Sequence, residues 1–266
     1  MSIALAATWN PRGELERFEQ LLPILEATYA QIVLSFPPVA DERVVKLFRE
    51  GRFSGQANLA TIQNQVWSWG RYMALKIALQ SPVAHIHYAD MDRLLRWVET
   101  RPEEWREATL RIADGDYLVM GRSAAAYATH PQALVKTEEI SNHLISRLVG
   151  RALDVSAGSK GFSRRAAQFL VDQTKPGKAI GTDGAWTVLL HRAGYRIDYI
   201  EVDGLDWETA DRYQTTSASV DEQLKLAETY DKDPAHWAMR VEFAMEIVQA
   251  GLEAAEYVVP ETSDCP

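Results

Sequence analysis

The sequence predicts an α/β protein with a mainly parallel central sheet and a helical C-terminal extension. Short apolar runs alternate with segments whose apolar residues recur every three or four positions, and three such strand–helix units fall within the first ninety residues. Strands joined through helices lie parallel, because the crossover returns each strand to the same end of the sheet. The last quarter of the chain instead reads as helix without intervening strands. With 266 residues, 47% hydrophobic and 24% charged, the chain has the composition of an ordinary globular protein and ample material for a core.

Taken in order, the apolar run Ile3–Thr8 ends at Asn10-Pro11, and Leu15, Phe18, Leu21, Leu22 and Leu25 then repeat at helical spacing to about Tyr29. Gln31–Ser35 reads as a second strand, stopped by Pro37-Pro38, and a short amphipathic segment carrying Val44, Val45, Leu47 and Phe48 closes at Gly51. Ile62, Val66, Trp69, Met73 and Ile77 predict one helix over Thr61–Leu79, followed by a strand over Val83–Tyr88. Helices are expected at Arg93–Glu99, Glu103–Ile112 and Glu138–Val149, with a strand at Tyr117–Met120. Two loops, Ser156–Gly161 and Gly177–Gly184, precede helices Ser163–Val171 and Ala185–Ala193, and Arg196–Val202 reads as the last strand. In the C-terminal segment Trp237, Val241, Ala244, Val248 and Leu252 form an apolar stripe. No repeat or low-complexity linker interrupts the chain, so residues 1–210 are expected to form one catalytic and ligand-binding domain, with an acidic helical extension over 211–266 packed on it or on a second copy in a homo-oligomer.

The charge is unevenly placed. Residues 1–197 carry 24 Lys and Arg against 20 Asp and Glu, whereas residues 198–266 carry 4 against 17. A mildly basic body suits a small anionic ligand, and the absence of a basic stripe argues against a nucleic-acid partner. The single cysteine, Cys265, excludes a disulfide framework and cysteine-based metal sites. No basic n-region opens the sequence and no run of ~18 uncharged apolar residues occurs, so no transmembrane segment and a cytoplasmic location are expected.

The most informative segment is Ala84 to Trp97, which contains Asp90-Met91-Asp92. The pattern Asp-x-Asp alone carries little information: with 16 Asp it occurs three times, at Asp90, Asp114 and Asp231. Position distinguishes the first, which falls at the carboxyl end of a buried parallel strand, where open α/β sheets bind ligands. Two carboxylates there offer hard oxygens to Mn²⁺ or Mg²⁺ and leave positions free for diphosphate, whose charge the metal neutralises as it departs. The plainer reading is that Asp92 caps the following helix. His85 and His87 share a strand face, and a two-histidine metal site is the weaker reading of them.

From this point the sequence resembles the GT-A glycosyltransferases, in a family 2-like pattern, over about residues 1–210. Ala7-Thr8-Trp9-Asn10 resembles the nucleotide-base edge, Trp69 to Leu75 the helix before the D-x-D strand, and Ala89-Asp90-Met91-Asp92 the D-x-D motif. Asp154 to Arg164 resembles the loop beside donor sugar and acceptor, and Thr182-Asp183-Gly184-Ala185-Trp186 the family's acidic catalytic region. The resemblance implies a Rossmann-like domain that moves a sugar from a nucleoside-diphosphate donor to an unidentified acceptor with a divalent cation. It further implies Thr8, Trp9, Arg71, Asp90, Ser156, Gly158 and Ser159 as donor-binding residues, Asp90 and Asp92 as metal ligands, and Asp183 as the base that deprotonates the acceptor. Asp183 also suits an ordinary helix cap, Trp9 a core residue, and the glycine-rich loop a surface turn. Members with retention of configuration often carry a histidine ligand after the last strand; Glu201 to Glu208 contains none, leaving Asp203 or Asp206 as substitutes or the D-x-D and phosphates as the only ligands. Arg93, Arg96, Arg101 and Arg122 offer cations to an anionic acceptor or partners to surface glutamates. A nucleotidyltransferase would carry a basic glycine-rich loop after the first strand, and an aspartate-nucleophile phosphatase its Asp-x-Asp at that place; neither is present. The alternative of another class is a non-catalytic nucleotide-sugar-binding or interaction domain.

Overall fold

The computed structural model describes residues 2–50, 59–177 and 180–258. The helix end expected at Gly51, positions 178 and 179 of the Gly177–Gly184 loop, and Cys265 lie outside the described residues. Seven strands form one sheet in the order β3-β2-β1-β4-β6-β5-β7. They are β1 (Ile3–Thr8), β2 (Gln31–Phe36), β3 (Leu59–Gln63), β4 (His85–Asp90), β5 (Tyr117–Arg122), β6 (Ser159–Ser163) and β7 (Ile197–Val202). All run parallel except β6, which is antiparallel to both neighbours. The expected α/β class and mainly parallel sheet are therefore present.

Helices cover both faces: α1 (Leu15–Thr28), α2 (Glu42–Arg49), α3 (Gly70–Ala78), α4 (Met91–Thr100), α5 (Pro102–Leu110), α6 (Ala124–Ala128), α7 (Gln132–Val149), α8 (Arg164–Gln173), α9 (Thr182–Arg192), α10 (Val220–Asp231) and α11 (Pro234–Ala255). The alternation of β1 explains the two layers. Ile3, Leu5 and Ala7 pack with α1, α4 and α5, whereas Ala4 and Ala6 face the core shared by α3, α7, α8, α9 and α11. Alanines on that second face let α3 come close, so that a Cβ on Gly70 would lie 3.1 Å from Thr8 Cγ2.

Two expected elements differ in the structure. Residues 59–63 form edge strand β3 and a 3₁₀ turn occupies Trp67–Trp69, so the helix expected over Thr61–Leu79 begins only at Gly70. Ile62 and Val66 happened to continue the spacing of the true helix, while Leu59–Gln63 pairs with β2 through Ile32 to Phe36. The segment read as a loop, Ser156–Gly161, contains most of β6, which lies inside the sheet between β4 and β5. Its sequence, Ser-Lys-Gly-Phe-Ser, has weak strand propensity. Gly161 is nevertheless needed there, since a Cβ would lie 2.6 Å from Ile112 Cγ1.

The C-terminal helix packs through a different stripe from the expected one. Ala244, Ile247, Gly251 and Ala254 are buried against α7 and α9, whereas Val241 and Leu252 are exposed. Small residues win because the helices touch at backbone distance: a Cβ on Gly184 would lie 2.5 Å from Ile247 O. Gly184→Ala should therefore lower stability by about 1–3 kcal/mol, despite the better helix propensity of alanine. Thermal unfolding reads this as a fall of several degrees, and a raised midpoint would show that α11 yields.

Two histidines add a pH dependence. His87 is buried between the Tyr29 hydroxyl (2.7 Å from Nδ1) and Ser159 Oγ (2.8 Å from Nε2), and His130 is buried with Nδ1 2.9 Å from Ala126 O. Burial pushes both down to about 3, with Arg122 adding to the effect at His130. The two-histidine metal reading is thus replaced by a packed core. Because these folded values lie below the unfolded one near 6.5, the unfolded chain takes up the extra protons. Stability is complete above that pH and declines as pH falls toward 3, by about 2 kcal/mol per histidine between pH 7 and 5. The urea midpoint should drop accordingly; an equal midpoint at both pH values would mean a ring is charged in the native state.

Candidate functional site

The chain runs outward from β1 to β2 and β3, then returns to β4 on the other side of β1. This reversal opens a crevice at the carboxyl ends of β1 and β4, the place where open α/β sheets take ligands. Thr8 and Asp90 are the last paired residues of these strands and stand opposite each other. A cavity of about 210 Å³ opens there. Thr8, Trp9, Asn10 and Arg12 follow β1 along its wall, Ser35 and Pro37 follow β2, and Trp67, Gly70 and Arg71 come from the start of α3. Asp90, Asp92 and Arg93 continue β4 into α4; Ile180, Glu208, Thr209, Arg212 and Arg240 close the far side.

Asp90 sits in a crowded set of donors. Its Oδ1 accepts from Thr8 Oγ1 at 2.9 Å and from the Tyr88 hydroxyl at 2.5 Å, and its Oδ2 accepts from Arg71 Nη2 at 3.2 Å. Burial alone would raise this carboxyl, but Arg71, Arg93 and the two hydroxyls outweigh it and leave Asp90 below its ordinary value. The backbone comes close on the other side. Gly158 O accepts from Asp90 N, and a Cβ on Gly158, which has φ +74°, would lie 2.7 Å from Asp90 Oδ2.

Arg71 also reaches Asp183 Oδ1 at 2.8 Å, and Lys160 Nζ donates to the same oxygen at 2.5 Å. Arg71, Lys160 and Asp183 are all buried, so Asp90, Arg71, Asp183 and Lys160 form an alternating chain of charges across β4, α3, α9 and β6. Burial pushes the Lys160 ammonium down, opposed by Asp183. Asp183 is only 3% exposed and does not line the cavity. This carboxylate, expected as the acceptor base, is held in the structure by two cations, Arg71 and Lys160.

Ser159 likewise turns away from the cavity, against His87 and Met120 Sδ. Ser156 is buried, with Oγ donating to Asn142 Oδ1, so the close approach expected of this loop is made by Gly158 to Asp90. Trp9 is a core residue, its ring packed against Phe18, Phe36 and Phe48, and it also lines the cavity with an Nε1 that has no hydrogen-bond partner among the described residues. Asp206 is committed to Arg96 at 2.6 Å and Asp203 to Ser123, so neither replaces a histidine ligand. Arg122 is enclosed by Asp154 and Glu138, and Arg96 by Asp206 and Asp211; only Arg93 of the four arginines singled out lines the cavity.

The carboxylate that does arrive from the last-strand side is Glu208, 3.4 Å from Arg93 Nε and buried. Burial would raise it, but Arg93 holds it below the usual range, whereas burial and the nearby Glu208 and Asp90 raise Asp92 above it. A resident divalent cation needs open hard oxygens. Here Asp90 Oδ1 accepts two hydrogen bonds and Oδ2 accepts from Arg71, Asp92 Oδ2 accepts from Arg12 at 3.1 Å, and Asp92 Oδ1 accepts from Arg93 N at 3.0 Å. Glu208 Oε2 alone is buried without a hydrogen-bond partner, and among the described residues no group of three or more His, Cys, Asp or Glu is placed to hold a metal ion. The cavity wall also brings five arginines against three carboxylates. The donor set expected at Asp90 and Asp92 is therefore engaged by guanidinium groups and does not fit a resident cation.

An open, mainly parallel α/β sheet with an arginine-rich cleft at its topological switch point defines the class of this protein. The chain is similar to the solved structure of Mycobacterium tuberculosis glucosyl-3-phosphoglycerate synthase, with 11% identity over 91% of this chain and 81% of that one and a TM-score of 0.46. It is also similar to that synthase in complex with Mn²⁺, UDP-glucose and phosphoglyceric acid (10% identity, 91% and 80% covered, TM-score 0.39) and to S. aureus TarS in complex with UDP (14%, 91% and 70%, 0.41). No family model and no curated protein matches the sequence. No helix among the described residues is long and apolar enough to cross a membrane.

The charge chain makes a test that separates positioning from proton transfer. Asp183→Asn leaves Arg71 and Lys160 with one carboxylate between them, and removing one partner from a buried charge cluster costs about 3–5 kcal/mol. Urea unfolding should register that loss. A base with no structural role would leave stability unchanged.

Proposed function

We propose that this protein transfers a glycosyl group from a nucleoside-diphosphate sugar to an acceptor. The observation that carries this reading is the meeting of Thr8, Arg71 and Asp90 at the β1–β4 switch point, at the floor of a cavity walled by arginines. Of the segments that resemble GT-A enzymes, residues 7–10, 69–75 and 89–92 contribute side chains to this cavity. Trp67, 48% exposed at its mouth, offers a face for the base to stack on, and the free Trp9 indole N–H and Ser35 offer polar contacts beside it. Asp90, fixed by Thr8, Tyr88 and Arg71, is an ionised acceptor for donor hydroxyl groups. Guanidinium groups around it stabilise the negative charge that develops on the departing diphosphate, which is fixed electrostatic assistance. Gly158 keeps side chains off this floor, and Ser156 braces the loop behind it.

Incubation with a panel of nucleotide sugars, with and without added Mn²⁺, should release nucleoside diphosphate from at least one donor. Asp90→Asn should reduce that turnover by ~10²-fold or more. Tight nucleotide binding without any turnover would instead identify a binding domain.

A further inference from the structure

Arg12 and Arg212 both line the cavity, each with a buried Nε that has no hydrogen-bond partner among the described residues. Two guanidinium groups repel, yet the backbone forces the segments that carry them together. Tyr213 N donates to Arg12 O at 2.7 Å, and Tyr213 adopts φ +62°, a left-handed conformation that is costly for an aromatic residue. Gly13, at φ +98°, has no Cβ, and one there would lie 2.7 Å from Tyr213 Cα. Burial, and then the nearness of Arg12, lowers the Arg212 guanidinium, with Glu208 and Asp92 opposing. Arg12 has Asp92 as a counter-ion at 3.1 Å. The remaining positive charge and the two unused donors call for an anion between them.

We propose that Arg12 and Arg212 form a clamp for the diphosphate of the donor, and that the clamp supplies the positive charge for which a divalent cation would otherwise be needed. The inference deepens the nucleotide-sugar reading and names how its most charged part is held. It follows from the balance of the cavity wall, where arginines outnumber carboxylates and the carboxylates already bind guanidinium groups. A diphosphate between the two arginines would relieve their repulsion.

Calorimetry with inorganic pyrophosphate, UDP and uridine, each in chelator and in Mn²⁺, tests it. Pyrophosphate and UDP should bind in chelator with affinities within about threefold of those in Mn²⁺. Arg12→Gln and Arg212→Gln should each weaken UDP by ~10-fold or more and leave uridine unchanged, with Arg212→Lys recovering part of the loss. Tightening by tenfold or more in Mn²⁺, or arginine variants that weaken UDP no more than uridine, overturns the clamp even where glycosyl transfer is observed; the latter outcome would assign the pair to an acceptor anion. Metal-independent pyrophosphate binding that both variants abolish, together with no affinity for any nucleotide, upholds the anion clamp and overturns the nucleotide-sugar reading instead. If Arg212→Gln fails to fold, Arg12→Gln and Arg212→Lys decide the matter.

Discussion

The site depends on one buried chain of four charges, Asp90–Arg71–Asp183–Lys160, with contacts of 3.2, 2.8 and 2.5 Å. Taking such charges out of water is expensive, and only their alternation and close geometry make the arrangement tolerable. The chain fastens α3 and α9 to the sheet at the point where β4 ends, and the Arg71 guanidinium lies 5.5 Å from the centre of the Tyr88 ring. Each residue has a packing partner that depends on the others. Gly70 permits the approach of α3, Gly158 permits the approach of the loop before β6, and Gly184 permits α11 to brace α9.

This arrangement explains why the cavity is polar although two apolar cores lie beside it. The sheet twists and its chain order reverses between β1 and β4, so no crossover covers that end. The strand-end residues Thr8 and Asp90 remain partly open, while aromatic rings close the floor underneath. Residues from the C-terminal side, Glu208, Arg212 and Arg240, complete the wall. The acidic final quarter thus contributes two of the cavity's cations.

Much of the frame was legible in the sequence because β1, β2 and β5 are dense apolar runs, β4 and β7 carry β-branched and aromatic residues, and the helices repeat at regular spacing. Strand β3 was not, since Ile62 and Val66 stand in phase with α3 and half-buried edge strands carry little periodic signal. Strand β6 was hidden by its polar, glycine-containing sequence, which becomes a strand only because β4 and β5 flank it. Asp90, Arg71, Thr8 and Trp9 could be placed on the cavity from the end of a strand or the start of a helix. Arg12 and Arg212 could not: each looks like a solvated arginine until the Tyr213 to Arg12 backbone contact brings them together. The charge of Asp183 was visible, but its enclosure by Lys160 was not, because a lysine in Ser-Lys-Gly-Phe reads as a surface residue.

The bond between Tyr213 N and Arg12 O joins positions about two hundred residues apart, and Arg17 repeats the link through Asp211 and Ser217. Contacts of such sequence separation form late, because a long loop must close before they reward it. During synthesis, β1 and its helix leave the ribosome long before the segment that finishes the wall. The nascent domain can assemble its sheet through β7 while the cavity wall still lacks Arg212 and Arg240, so the wall is completed only after the strands that carry it.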